Sequence, residues 1–260
     1  MVDNPKQEIK LPNTIPIFPL KGVVMFPDTY LPLNIFEPRY LKMIDHAISN
    51  ENRLIGMIQP KNSNDRDEKS LFYTVGCAGK IIKFEETDDN RYLITLKGLS
   101  RFNLLSEKTN HKNFREANID WKNFNKDMNK NSKTADFSIL KTTLKKYFKS
   151  KKIRANMDAI DTFTDYNFVD QITMICPLAN NEKQLLLETT SILKREKLLQ
   201  TILDSYINEE NISNISKHWI NFDDNFKFNI LIDLLRAEFL SAKTQGHVAF
   251  KNIIRNKSNA

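Results

Sequence analysis

The sequence predicts an α+β fold, with a twisted, barrel-like, β-rich N-terminal subdomain followed by a C-terminal α-helical bundle. Three observations carry this expectation. Up to about Trp121, apolar residues recur in short runs separated by turn chemistry. Beyond a hydrophilic stretch at Asn123 to Thr134, the apolar period changes from about 2 to about 3.6. Prolines sit inside several early apolar runs, a pattern tolerated at strand starts, edges and bulges rather than in flat central strands.

The elements follow in chain order. Thr14 to Leu20, Val23 to Phe26 and Tyr30 to Phe36 read as strands broken by Pro16, Pro19 and Pro32. Glu37-Pro38-Arg39 opens a helix, because proline suits a first turn whose N–H groups lack partners. Leu41, Ile44, Ala47 and Ile48 share one of its faces, and Asn50 ends it. Leu54 to Ile58 is a short buried strand, and Asn62 to Lys69 a polar loop. Phe72 to Phe84 and Arg91 to Lys97 form a hairpin, with Asp and Asn residues between them able to adopt positive φ. Arg101 to Leu105 and Phe114 to Trp121 complete the strands.

Helices follow. Ile139, Leu140, Thr143, Leu144, Tyr147 and Phe148 make an amphipathic stripe. Asn156 to Phe163, Tyr166 to Ile175 and Asn181 to Glu188 are shorter helices, with Asp165 and Asn180 as N-caps. Ile192 to Ile207 is longer, and Asn208 to Lys217 has weak helical character. Phe226 to Ala242 carries a last apolar stripe, capped by Asp224 and ended by Gly246, before a charged tail at Lys251 to Ala260. The expected organisation is a tail at 1–13, a β-rich subdomain at 14–122, a linker at 123–134, a helical subdomain at 135–208 and a partly helical extension at 209–260.

Composition narrows the chemistry. Hydrophobic residues form 40% of the 260 positions, enough for a sizeable core. Only 6 residues are Gly, which argues against glycine-rich phosphate loops, while 17 are Phe. The net charge of +7 matches either a Lys- and Asn-rich compositional bias or an attraction to anionic partners. Cys77 and Cys176 stand far apart in apolar surroundings, as buried free thiols of a reducing cytoplasm. Met1 to Lys10 has no apolar secretory core, and no apolar run is long enough to cross a membrane.

Catalytic motifs are missing. A P-loop requires G-x-x-x-x-G-K-[ST], but Gly79-Lys80 is followed by Ile81 and preceded by Thr74 at the first glycine position. No motif frames a Ser-Lys pair. His46 is followed by Ala47 rather than by the E-x-x-H of a zinc protease, and His46, His111, His218 and His247 are scattered as surface histidines. The expectation is a protein that is not an enzyme and uses no cofactor or metal.

Phe18-Pro-Leu-Lys-Gly-Val-Val-Met-Phe-Pro27 and Leu31-Pro-Leu-Asn-Ile-Phe-Glu-Pro-Arg-Tyr40 resemble the opening of the Lon protease N-terminal domain family. Arg53 to Gln59, Val75 to Ile81 and Phe84 to Tyr92 continue that pattern in order, and the resemblance spans about residues 12 to 208. It implies a small twisted β subdomain, a helical bundle and a substrate-capture role. The expected protein is a non-catalytic peptide-binding module, an adaptor or holdase in cytoplasmic protein quality control. Its partners would be unfolded or misfolded polypeptides and a protease or chaperone, with no membrane.

Phe18, Phe26, Pro27, Leu33 and Phe36 could line an apolar groove for such chains, with Pro19 beside them, or simply build the core. Glu37, Arg39 and Tyr40 could shape a peptide-binding surface. Alternatively, Glu37 charges a helix N-terminus and Arg39 ties strands together. Glu85, Glu86, Asp88 and Asp89 lack the ligand order of a calcium loop and read as a solvated hairpin tip. The alternative function is nucleic-acid association through the basic run Lys141 to Arg154. On a helix, Lys141, Lys145, Lys149 and Lys152 would share one side of that run. The run lacks interleaved surface aromatics and any groove-entering motif, so it reads first as a solvated helix face.

Overall fold

The computed structural model describes residues 11–61, 71–108, 113–128, 136–153, 155, 160–161 and 166–212. The expected loop at Asn62 to Lys69, most of the helix at Asn156 to Phe163, Asp165, and the helix at Phe226 to Ala242 with the tail after it lie outside these residues. Six strands form one sheet among the described residues: β1 (Thr14–Pro19), β2 (Tyr30–Ile35), β3 (Leu54–Ile58), β4 (Val75–Glu86), β5 (Tyr92–Lys108) and β6 (Glu116–Asp120). Their order is β2-β5-β4-β3-β1-β6, and β6 also pairs with β5, so the ladder returns on itself. Helix α1 (Pro38–Ile48) separates β2 from β3, and α2 (Ser138–Ser150), α3 (Phe168–Ile175), α4 (Asn180–Glu188) and α5 (Ile192–Ile212) follow the sheet. The architecture is therefore sheet-rich and mixed in its N-terminal part, with helices after it.

The prolines sit where the ladder tolerates them. β1 pairs with β6 through Thr14, Ile15 and Pro16, and with β3 through Ile17, Phe18 and Pro19, so each half has one named neighbour. Among the described residues β2 pairs only with β5, and Pro32 lies on that edge strand. The expected strand at Val23 to Phe26 is instead a loop whose Val24, Met25 and Phe26 are buried. Its apolar character reflects packing, and Phe26 opens a turn in which the Thr29 hydroxyl donates to the Phe26 carbonyl at 2.6 Å. The two strands expected at 91–97 and 101–105 are one 17-residue strand, β5. Gly98 lets it run past this loop, since a Cβ there would lie 1.9 Å from the Phe26 carbonyl oxygen.

The hairpin turn uses the anticipated chemistry, with Asn90 at φ 59° and the Thr87 N–H donating to the Arg91 carbonyl at 2.9 Å. α1 starts at the expected Pro38, and its core face is Tyr40, Met43, Ile44 and Ala47. The cap of α4 is Ala179 rather than Asn180, and the Glu182 carboxylate accepts the Ala179 N–H at 2.7 Å. Lys122–Met128, inside the stretch expected to link the two parts, is a 3-10 segment with Phe124 buried.

One cluster of buried side chains runs from Phe18, Phe26 and Leu96 in the sheet region to Leu144, Phe168, Leu187 and Leu203 in the helices. A second, with Ile17, Phe72, Phe102 and Trp121, includes residues of β1, β5 and the strands beside them. Burying a side chain such as Phe26 contributes roughly 1.5–3 kcal/mol, so a shared core couples both parts strongly.

Polar groups fix how the parts meet. The last carbonyls of a helix lack intrahelical donors and carry partial negative charge. At the end of α4, Arg195 donates to the carbonyls of Leu186 at 3.0 Å and Thr189 at 2.7 Å, and to the Asp170 carboxylate. From β5, Arg101 donates to the carbonyls of Leu187 and Thr189, each at 2.9 Å. Its remaining donors grip the Asp127 carboxylate at 2.8 and 2.7 Å, and its backbone N–H donates to the same group at 3.0 Å. Arg101 is 3% exposed, and its guanidinium lies over Phe124, while that of Arg195 lies over Phe26. Gln59 adds a second tie, donating to Gln184 and to the Asn180 carbonyl, each at 3.1 Å. Burial is the larger influence on Asp170, whose carboxyl titrates above its usual value although Arg195 pulls it down.

Cys77 and Cys176 are buried free thiols, as expected. Burial pushes the Cys77 thiol well up and the Cys176 thiol to about 12.

Four outcomes follow from this architecture. Gly98→Ala drives a Cβ into backbone and lowers unfolding stability by at least about 2 kcal/mol in urea titration, whereas a relaxed site would give a near-neutral change. Asp127→Ala strands the buried Arg101 guanidinium and costs about 3–5 kcal/mol, with Asp127→Asn losing distinctly less in the same assay. Neither thiol of the native protein reacts with a disulfide reagent at mildly alkaline pH, and both react after unfolding in guanidinium. An unfolded thiol ionises near 9.0 and the native Cys176 near 12, so unfolding releases a proton in that window and stability falls as pH rises through it.

Candidate functional site

The residues singled out by sequence divide sharply by burial. Phe18, Phe26, Leu33 and Tyr40 are core side chains, with the Phe18 and Tyr40 ring centroids 4.3 Å apart. Side chains already buried in their own fold have no face to offer a groove, so these four serve the packing alternative. Pro27 is half-buried beside them. Phe36 points the other way and is 58% exposed. Glu37 is the residue before α1, and its carboxylate accepts from Arg39 at 2.9–3.0 Å instead of capping the helix. Arg39 lies over the Tyr40 ring at 4.5 Å and is half-exposed. It makes a local pair, whereas the arginine with several long-range bonds is Arg101, which links β5 to Asp127 and to the end of α4.

An apolar surface does exist, at the free end of the β4–β5 hairpin. β3 pairs with β4 only from Leu54 opposite Lys80 to Met57 opposite Cys77. The hairpin continues past that support, and Ile82 to Glu86 are all exposed. Phe84 is 44% exposed, and Ile82 and Leu93 are comparably open. The Phe84 and Tyr92 rings meet edge-on at 4.9 Å, with Tyr92 on the same strand end as Ile35, its partner in β2. Phe36 follows Ile35 directly, and the Arg91 guanidinium lies 6.0 Å from its ring. Phe36, Phe84 and Leu93 thus lie at one end of the sheet, with Phe84 and Tyr92 on one face of the hairpin and Leu93, opposite Glu85, on the other. The sequence pattern places Phe84 in a strand without showing its exposure. The missing signal was the length mismatch between β3 and β4, which decides which strand residues lose their cover.

Charge at this end is mostly negative. The Tyr92 phenol titrates above the usual range, raised by burial and by the nearby carboxylates of Asp45 on α1 and Glu86. Arg91 is paired with Asp89 at 2.8 Å.

The basic run is less uniform than its sequence suggests. Lys145 is paired with Asp161 at 2.5 Å, and Lys141 donates to the Asp161 carbonyl at 2.9 Å. Lys149 is exposed on α2, but Lys152 lies past the helix end at φ 54°, so the four-lysine stripe does not form. His46, expected as a lone surface residue, faces the buried Glu116 at 3.4 Å and stacks on Phe114. His111, His218 and His247 lie outside the described residues. Among the described residues, no group of three His, Cys, Asp or Glu side chains could hold a metal ion, and no helix is long and apolar enough to cross a membrane.

The chain was compared with known proteins. The Lon protease 2 of Sorangium cellulosum is 32% identical over 96 residues, covering 36% of this chain and 12% of that protein. Lon protease 1 of Bacillus subtilis is 25% identical over 214 residues, covering 80% of this chain and 27% of that protein. Lon protease 1 of Hydrogenovibrio crunogenus aligns over 95% of this chain at 23% identity, which carries the likeness past Ile212. The chain therefore spans less than a third of the length of these curated relatives. Among solved structures, the N-terminal domain of a Mycobacterium avium complex Lon protease superposes with a TM-score of 0.53 at 15% identity, covering 74% of this chain and 98% of that one. A Lon N-terminal domain protein from Xanthomonas campestris gives 0.53 at 17% identity, covering 72% and 97%. These two likenesses establish the fold. The family described as the ATP-dependent protease La (LON) substrate-binding domain matches residues 14–205, and the chain belongs to it.

Proposed function

We propose that this chain is a non-catalytic polypeptide-binding module, acting as an adaptor or holdase in cytoplasmic protein quality control. Its clients are unfolded or misfolded polypeptides, held for a protease or a chaperone. The observation that carries this reading is the uncovered apolar end of the β4–β5 hairpin, with Phe36, Phe84 and Leu93 exposed in a chain of the substrate-binding family. Singly exposed apolar residues are ordinary, but here Phe84 meets Tyr92 on one face of the hairpin and Leu93 opens the other, and apolar groups concentrated at one sheet end mark an interaction surface. Of the residues first considered, Phe36, Glu37 and Arg39 remain accessible there, and Pro27 is half-buried. The closed ladder is read as a barrel-like unit over 14–122, and the helices as a bundle over 135–208. In this scheme the rigid sheet presents the hairpin, and side-chain burial tolerates varied clients.

The test is binding of a reduced, carboxymethylated and permanently unfolded protein, followed by fluorescence anisotropy. Phe84→Ser with Leu93→Ser is expected to weaken binding roughly tenfold, the scale at which truncated anchor residues act. Because both side chains are exposed, the melting temperature should change little. Absence of saturable binding by the unaltered protein, or an undiminished affinity in the double variant, would contradict the reading.

A further inference from the structure

The proposed binding surface has a chemical bias. The chain as a whole is basic, at +7, yet the hairpin end is acidic: it carries Glu85, Glu86, Asp88 and Asp89, with Glu86 on the face of Phe84 and Tyr92 and Glu85 on the other. Two of the arginines nearest this surface are already neutralised, Arg91 by Asp89 and Arg39 by Glu37. Glu85, Glu86 and Asp88 form no ion pair among the described residues. Strand register places these charges. Glu86 is directly opposite Tyr92, and Phe84 opposite Ile94, so Glu86, Phe84 and Tyr92 share one face of the hairpin. Lys83 and Lys80, opposite Thr95 and Lys97, fall on the other face. Asp45 reaches the same Tyr92 from α1. Lys42, one turn earlier on α1, makes no ion pair with it among the described residues.

This face therefore carries two aromatic rings in edge contact with a carboxylate on either side. Aromatic faces attract cations, as the position of the Arg91 guanidinium over Phe36 already illustrates. A carboxylate beside such a ring adds a hydrogen-bonding anion at the point where the cation would sit. An acidic end on a basic molecule also reverses the local field, so it orients a cationic segment toward this face and away from the rest of the surface.

We propose that the inner face of the β4–β5 hairpin selects polypeptide segments in which an arginine or lysine lies next to an apolar residue, with Phe84 and Tyr92 taking the apolar and cationic side chains and Glu86 and Asp45 taking the charge. The inference deepens the polypeptide-binding reading and depends on it. Neutral and acidic apolar segments bind the same surface more weakly.

The experiment is fluorescence anisotropy with three dye-labelled peptides sharing one Phe- and Leu-rich frame and carrying Arg, Gln or Glu at the same positions, titrated with the full chain. The expected result is an Arg peptide bound about tenfold more tightly than the Gln peptide, the sum of an exposed ion pair and a cation–ring contact, with the Glu peptide weaker still. In Glu86→Gln with Asp45→Asn, and to a lesser degree in Glu86→Gln alone, the Arg-over-Gln ratio falls to within about twofold, and added salt lowers it likewise. Circular dichroism checks that the variants fold. Equal affinity for the Arg and Gln peptides in the unaltered protein, or a ratio that survives in the double variant, overturns the selectivity. Failure of every peptide and of the unfolded protein to bind overturns the polypeptide-binding reading beneath it.

Discussion

The junction at the C-terminus of α4 holds the molecule in register. Helix ends leave carbonyls without donors, and burying them unpaired is costly. Here two guanidiniums fill the gap from opposite directions, Arg101 out of the sheet and Arg195 out of α5, and both donate to the Thr189 carbonyl. Each is neutralised by its own buried aspartate, Asp127 or Asp170. Arginine suits the task because its planar fork can serve carbonyls and a carboxylate at once, which a lysine cannot. A buried ion pair adds little net stability compared with apolar packing, but removing one partner is severe, so the arrangement specifies one geometry more than it strengthens it. The apolar cluster that crosses from sheet to helices supplies the bulk of the attraction, and the arginines decide the angle.

That division of labour bears on the surface. Because β5 carries Arg101 near its middle, the strand is anchored there, and its first residues, Tyr92 and Leu93, stand at the far end of the hairpin. β4 is covered by β3 only as far as Lys80. What extends past β3 is a stiff three-stranded arm, β2-β5-β4, with Phe84 and Leu93 open to solvent and Tyr92 near Asp45 of α1 at its far end. A rigid arm keeps apolar area exposed without collapsing onto its own core, as a binder of varied chains requires.

Much of the fold was legible in the sequence because period and turn chemistry are local. The β1, β3, α1 and α4 segments fell within a residue or two of their places, and Asn90 took the positive φ anticipated for the turn. The misses share a cause, namely that burial by distant residues is not written locally. Val24, Met25 and Phe26 look like a strand because they are apolar, yet their burial comes from α5 and neighbouring elements, as the Arg195 guanidinium over Phe26 illustrates. Asp127 looked like linker polarity and is instead an internal anion. Lys145 looked free to meet a phosphate until Asp161 came across from the next segment. The family was readable from ordered motifs around Phe18 to Tyr92, but those motifs mark mainly core residues. The exposed surface depends on where neighbouring strands stop.

Hydrogen exchange followed by mass spectrometry, with and without a saturating unfolded polypeptide, tests the central claim most directly. The account places slowed exchange in the hairpin around Phe84 to Leu93 and in the segment beginning at Phe36, with α2 unaffected. Protection confined to α2 and its lysines, with the hairpin exchanging as in the free protein, would contradict it.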